Sequence, residues 1–291
     1  MNRNLLLGLL VILVSVDAAL AGKPDFQAAD VNPSKGHATV TIPAKAVEVN
    51  PNVFYLGTAV DKGMVVEGYA IVDYRVGYGK PSGCNNDGVC QGWESPSCAD
   101  CSGGGSGTSS CYGFLAKGAK WKTVEPYIID PANTRGLDES FVRANLAADI
   151  GKWEAAAGVN ILGDETAGVV DGADMDSPDG RNEIYLGNIS DEGAIAITIV
   201  WGVFGGPAQK RQLVEWDQVY DQVDYDWSAS GEAGKMDFEN IATHELGHSV
   251  GMGDLYTSEC SEQTMYGYAS YGETKKRTLE AGDIKGVGTL Y

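Results

Sequence analysis

Apolar and polar positions divide the chain into blocks of different period. Residues 5–16 form one unbroken apolar run behind Arg3, and Ala19-Leu20-Ala21 follows. A run this short cannot cross a bilayer, which takes about 20 residues, and small residues at that distance suit a signal peptidase. Residues 1–21 are therefore expected to be a secretory signal. Residues 22–50 are polar, with Pro24, Pro33 and Pro43, and read as an extended lead-in. Val53–Val60 and Met64–Tyr74 are rich in β-branched and aromatic residues. They flank Asp61-Lys62-Gly63, so a hairpin is predicted there.

After Cys111 the periods alternate between two and 3.6. Val124–Ile129 reads as a strand ended by Pro131. Phe141, Leu146, Ile150, Trp153 and Ala157 share one face of a helix over Leu137–Ala157. Val159–Leu162, Glu183–Leu186, Ala194–Trp201 and Gln212–Val219 are further predicted strands, with a long acidic loop across 164–191. Helices are predicted at Asp237–Val250 and about Leu279–Leu290. The reading is a mixed α+β domain over 112–291, preceded by a β-rich region or pro-segment (22–83) and a cysteine-rich insert with a Gly/Ser linker (84–111).

Composition narrows the partners. Lys+Arg 21 against Asp+Glu 40 gives a net charge of -19, which repels nucleic-acid backbones and anionic membrane surfaces. No apolar run after residue 21 approaches spanning length, so a secreted, soluble monomer is expected. Export makes the six cysteines read as disulfides. Five cluster (Cys84, Cys90, Cys98, Cys101, Cys111), so if all pair, one of them must reach Cys260. The rival is a zinc knot on Cys98-x-x-Cys101, which lacks a second such pair.

Histidine is scarce, with three in the chain, and two of them stand in His244-Glu245-Leu246-Gly247-His248. Four residues apart on a helix, both imidazoles face one ion. Glu245 lies one step round, placed to act as general base on a metal-bound water. Such a pattern arises by chance about once in a thousand chains of this composition. A catalytic zinc usually takes three protein ligands. Gly251 can end the helix and turn the chain, making Asp254 the nearest oxygen donor, with Glu259 and Glu262 as alternatives. Asp254 could instead be a turn residue or support a histidine from behind.

The pattern His-Glu-x-x-His-x-x-Gly-x-x-Asp resembles the metzincin zinc signature, with Asp where most members have His. Thr264-Met265-Tyr266 falls where a Met-turn is expected. The tail Asp283-Ile284-Lys285-Gly286-Val287 is similar to the closing helix of matrixins, and the Asp-terminated form also occurs in snapalysin-type proteases. The resemblance covers roughly 120–291. It implies a two-lobed zinc endopeptidase with Met265 as the floor beneath the zinc and a substrate chain pairing with an edge strand. That strand is expected at Ala194–Val200, starting with Ala194, Ile195 and Ala196. Protein or peptide substrates follow from the same likeness. Calcium is the family's other usual ion, and Asp171, Asp174, Asp176 and Asp179 offer the oxygens it wants. In some metzincins a tyrosine after the Met-turn approaches the zinc. Tyr266 and Tyr268 are one and three residues past Met265, not two, and are expected to pack.

The chain departs from the matrixin pattern in three places. It has no histidines to spare for a structural zinc. Pro81-Ser82-Gly83-Cys84 lacks the Arg and following Gly of the pro-segment motif that blocks the zinc with cysteine. The insert at 84–111 has no counterpart. The expectation is a secreted zinc endopeptidase held together by His244, His248 and Asp254; the alternative is a secreted binding module whose zinc is structural.

Overall fold

The computed structural model describes residues 39–78 and 111–291. The expected signal, His37, and the insert with Cys84, Cys90, Cys98 and Cys101 lie outside the described residues. A nine-stranded mixed sheet forms the frame. Its strands are β1 (Val47–Asn50), β2 (Val53–Asp61), β3 (Met64–Arg75), β4 (Glu125–Asp130), β5 (Leu162–Glu165), β6 (Asn182–Gly187), β7 (Ala194–Val203), β8 (Gln212–Asp221) and β9 (Tyr268–Ala269). They lie in the order β1-β2-β3-β7-β8-β6-β4-β5, with β9 pairing the end of β3.

The predicted hairpin is β2–β3. Lys62 and Gly63 connect it with φ of 46° and 80°, and two successive left-handed residues make the two-residue turn whose twist matches the strands. The hairpin is not a separate lobe: β3 runs antiparallel along β7 from Glu67 opposite Gly202 to Tyr74 opposite Ala194. Gly68 is required there, because a Cβ would come 2.6 Å from the Trp201 ring.

Three helices pack on the sheet. α1 (Glu139–Ala157) begins at Asp138, whose carboxylate accepts from the Phe141 N–H at 2.9 Å, and ends at left-handed Gly158. α2 (Phe238–Ser249) starts at the analogous cap Asp237 and is buried along nearly its whole length. α3 (Ala281–Leu290) closes the chain with Glu280 and Asp283 forming a reciprocal cap. Trp153 Nε1–H donates to the Thr243 carbonyl at 2.8 Å, tying α1 to α2. One apolar core lies between sheet and helices, around Trp153, Trp216, Phe238 and Met265. A second covers the other face, where Val66, Ala70 and Val72 of β3 meet Ile197, Ile199 and Trp201 of β7.

Two expectations are corrected. Ala194, Ile195 and Ala196 do not lie on an edge strand: β7 is flanked by β3 and β8 and is buried from Ala194 to Gly202. Such an unbroken apolar run is what burial on both faces demands. The strand predicted at Val159–Leu162 begins instead at Leu162, because Gly158 turns the chain and leaves Val159 exposed. The strand predicted at Glu183–Leu186 is present as β6, parallel to both β4 and β8.

Candidate active site

α2 carries His244, Glu245 and His248 into the space below β7. Their placement needs close approach between elements: a Cβ on Gly247 would overlap Met265 Sδ and lie 2.8 Å from the Trp153 ring. Gly247 thus lets Met265 sit directly against the helix. Asp283 of α3 fixes that turn by accepting from the N–H groups of Thr264 (2.8 Å) and Met265 (3.2 Å). Helix α2 stops at Val250, and Gly251, at φ 100°, returns the chain toward it. Asp254 is thereby brought under the helix.

The two imidazoles are oriented from behind. His244 Nδ1 lies 2.7 Å from the Thr264 carbonyl and His248 Nδ1 lies 3.0 Å from the Met252 carbonyl. A carbonyl can only accept, so both Nδ1 atoms carry the proton and both Nε2 lone pairs face inward. Asp254 Oδ1 lies 3.3 Å from His244 Nε2 and 3.4 Å from His248 Nε2. Among the described residues these three atoms have no hydrogen-bond partner, although all are buried. Zinc bonds of about 2.0–2.1 Å at tetrahedral angles separate neighbouring donors by roughly 3.3–3.4 Å, so the residues present fit that ion. Asp254 Oδ2 is held by the Tyr256 hydroxyl at 3.0 Å. That hydroxyl also lies 3.1 Å from Asn52 Nδ2 and 3.2 Å from the Pro51 carbonyl, in the β1–β2 turn.

Glu245 is fully buried. Thr198 of β7 donates its hydroxyl to Oε2, while Oε1 has no partner. Burial, outweighing the opposing influence of His244 and His248, pushes its carboxyl up to about 7. Burial would lower His248, but the adjacent Asp254 carboxylate raises it to about 9; the histidines reciprocally hold Asp254 far below the usual carboxylate range despite its burial. Ser249, also in the motif, accepts from Gln218 Nε2 at 2.9 Å.

A matrixin family model matches residues 208–291. This segment is matrixin-like. The match takes in the whole of α2, the turn at Met265 and α3, and the mixed sheet and helices around them are consistent with a metzincin-like domain. No curated protein sequence matches the chain.

The other predicted residues separate. Glu259 and Glu262 are exposed, and Glu262 lies 3.4 Å from Lys275. Tyr266 and Tyr268 pack edge to face at 6.0 Å, and Tyr268 does the same with Tyr256 at 5.3 Å. Of the expected calcium ligands, Asp176 is on the surface, 2.6 Å from Lys45. Asp171 and Asp179 pair with Arg181, which already supplies a positive charge. Asp174 and Asp179 instead meet Glu215. Sequence reasoning missed Glu215, Asp217 and Tyr256. Charged positions inside a strand flanked by other strands, β8, were the signal for the two acids; Tyr256, two residues past Asp254, had none. The expected reach of a cluster cysteine to the C-terminal part is present as the Cys111–Cys260 disulfide.

Proposed function

We propose that the protein is a secreted zinc-dependent endopeptidase in which His244, His248 and Asp254 hold the ion and Glu245 is the general base. The observation that carries this is the triangle of buried, inward-facing donors at zinc spacing beside a buried carboxylate with one free oxygen. Zinc held there would polarise the scissile carbonyl and make water a nucleophile near neutral pH. Glu245 takes the proton from the attacking water through Oε1, while the Thr198 hydroxyl keeps Oε2 from turning away. A carboxyl near 7 can both accept that proton and return it to the leaving nitrogen. Met265 and Gly247 set the height of the helix, and Tyr256 holds Asp254 in register with the imidazoles. A binding module with structural zinc would have no use for Glu245 at this position.

The test uses the full chain and Glu245→Ala, each assayed for zinc and for casein cleavage, before and after limited trypsin treatment that is then quenched. About one zinc per chain in both proteins, with cleavage by the parent alone, supports the reading. Cleavage surviving in Glu245→Ala, or no zinc in the parent, defeats it.

A further inference from the structure

A cavity of about 430 Å³ adjoins the third proposed metal donor. It is lined by Val49, Val53 and Tyr69 of β1–β3, by Tyr112 and Phe114 just after the disulfide, and by Asp254. Two sets of bonds fix these parts together. Gly113 and Phe114 pair antiparallel with Gly253 and Met252, and the Leu115 N–H donates to the Gly251 carbonyl at 3.0 Å. The β1–β2 turn is fastened to Tyr256: Asn52 Nδ2 donates to its hydroxyl at 3.1 Å, and the Pro51 carbonyl lies 3.2 Å from the same oxygen. The cavity is therefore preformed and does not depend on a ligand to shape it.

Its walls leave apolar surface uncovered. Val53, Tyr69, Tyr112, Phe114 and Leu115 pack against the core yet stay partly exposed, and each lines this cavity. Val49, which also lines it, is 47% exposed. Apolar surface left in water is surface that a ligand gains by covering, and concave, mostly apolar sites of roughly 300–1,000 Å³ are the common form of ligand pockets. Among the residues that line it, Asp254 alone carries a charge at neutral pH.

We infer that this cavity receives an uncharged aromatic side chain of the substrate, beside the bond that is cut, and that residues of β1–β3 help to select it. The inference rests on the proposed zinc site, because Asp254 belongs both to the donor triangle and to the cavity wall. The rings of Tyr69, Tyr112 and Phe114 offer edges and faces to another ring, which adds to the gain from burial. A carboxylate tail meets Asp254 as a like charge, and an ammonium tail gives up its water for a carboxylate that the ion already uses. Val49, Val53, Tyr69, Tyr112 and Phe114 all precede residue 208, where the matrixin match begins, so strands outside the matched segment set the preference.

The experiment loads the full chain with cobalt(II) in place of zinc and follows the visible spectrum, which reports coordination without turnover. The titrants are acetohydroxamate, 3-phenylpropanohydroxamate, and the hydroxamates of the same length ending in a carboxylate or an ammonium group. The phenyl compound should bind the parent at least about tenfold tighter than acetohydroxamate, and the two charged compounds no tighter than it. Val49→Trp and Gly113→Val each fill part of the cavity. A Cβ at Gly113 meets its nearest neighbour at 3.6 Å, an ordinary contact, so one variant remains if the other fails to fold. Both should bring the phenyl advantage below about threefold with acetohydroxamate affinity unchanged. Cleavage sites in casein should show aromatic residues enriched next to the cut in the parent and not in the variants. Equal binding of the phenyl and acetyl compounds by the parent, or an advantage that survives in both variants, would overturn the cavity's role and leave the metal site standing. A phenyl advantage that appears only after the chain is cut between Tyr78 and Cys111 would make a segment of this chain the occupant and overturn it as well. Failure to retain cobalt, or a spectrum that responds to none of the hydroxamates, would overturn the metal site, and the cavity's role with it.

Discussion

Tyr256→Phe removes one oxygen atom and tests how the metal site is supported. The hydroxyl lies between Asp254 Oδ2 at 3.0 Å and the β1–β2 turn, with Asn52 Nδ2 at 3.1 Å. Hydrogen bonds to charged groups contribute about 1.5–3 kcal/mol, equivalent to roughly 10- to 150-fold in an equilibrium constant. The hydroxyl grips Asp254 with or without metal, so only the part that aligns Oδ1 with the imidazoles enters the binding constant. Groups that orient metal ligands from behind typically cost 10- to 100-fold when removed, and about tenfold is expected here. Chelator competition measures this directly. Asn52, 1% exposed, also loses an acceptor, at about 1–3 kcal/mol. At about 2–4 °C per kcal/mol for a domain of this size, the metal-free Tm should fall by roughly 2–12 °C. The two readouts separate two roles. A lowered metal-free Tm with zinc affinity changed less than twofold would show that the hydroxyl only anchors the turn, and the reasoning about Asp254 would fail.

Two further outcomes are expected. Gly247→Ala drives a methyl group into Met265 and Trp153; overpacking of about 1–3 kcal/mol should outweigh the roughly 1 kcal/mol helix preference of Ala over Gly, so an unchanged or raised Tm would contradict the packing described. Glu215, pushed up to about 10 by burial and then by neighbouring Asp217, and Glu183, raised to about 7 mainly by burial, each hold a proton in the folded state that the unfolded chain releases near 4.5. Their stabilising effect is complete below that pH and is lost as pH rises through about 7 and about 10. Urea midpoints at pH 5, 7 and 9 should fall less steeply in Glu215→Gln than in the parent, and parallel slopes would refute the sign.

Elements with strong local signals were legible in the sequence. The Asp61-Lys62-Gly63 turn, the α1 face ending at Trp153 and the spacing of His244 and His248 each depend on residues within about one or two turns of chain. Gly251 and Asp254 were within reach for the same reason, since a helix end and three residues of return leave little choice. What could not be read was register between distant strands. Ala194–Trp201 looks the same whether its neighbour is a substrate or β3, because apolar side chains report burial of faces and say nothing of which backbone fills the edge. Asp73 was hidden likewise: in an alternating strand it reads as an ordinary polar position, and only the pairing of β3 with β7 brings it to His244. The acidic loop shows the reverse error. Its aspartates offer oxygens of the kind calcium takes, yet Arg181 pairs with Asp171 and Asp179 and Lys45 with Asp176, while Asp174 and Asp179 lie beside Glu215 of β8.

The hairpin is held in the sheet by more than its ladder. Val66, Ala70 and Val72 are part of the second core, packed with Ile197, Ile199 and Trp201. Cutting the chain beyond Arg75 would remove a connection but none of these contacts. β3 would stay beside β7 through its backbone hydrogen bonds and through apolar burial of about 25 cal/mol for each Å² kept from water.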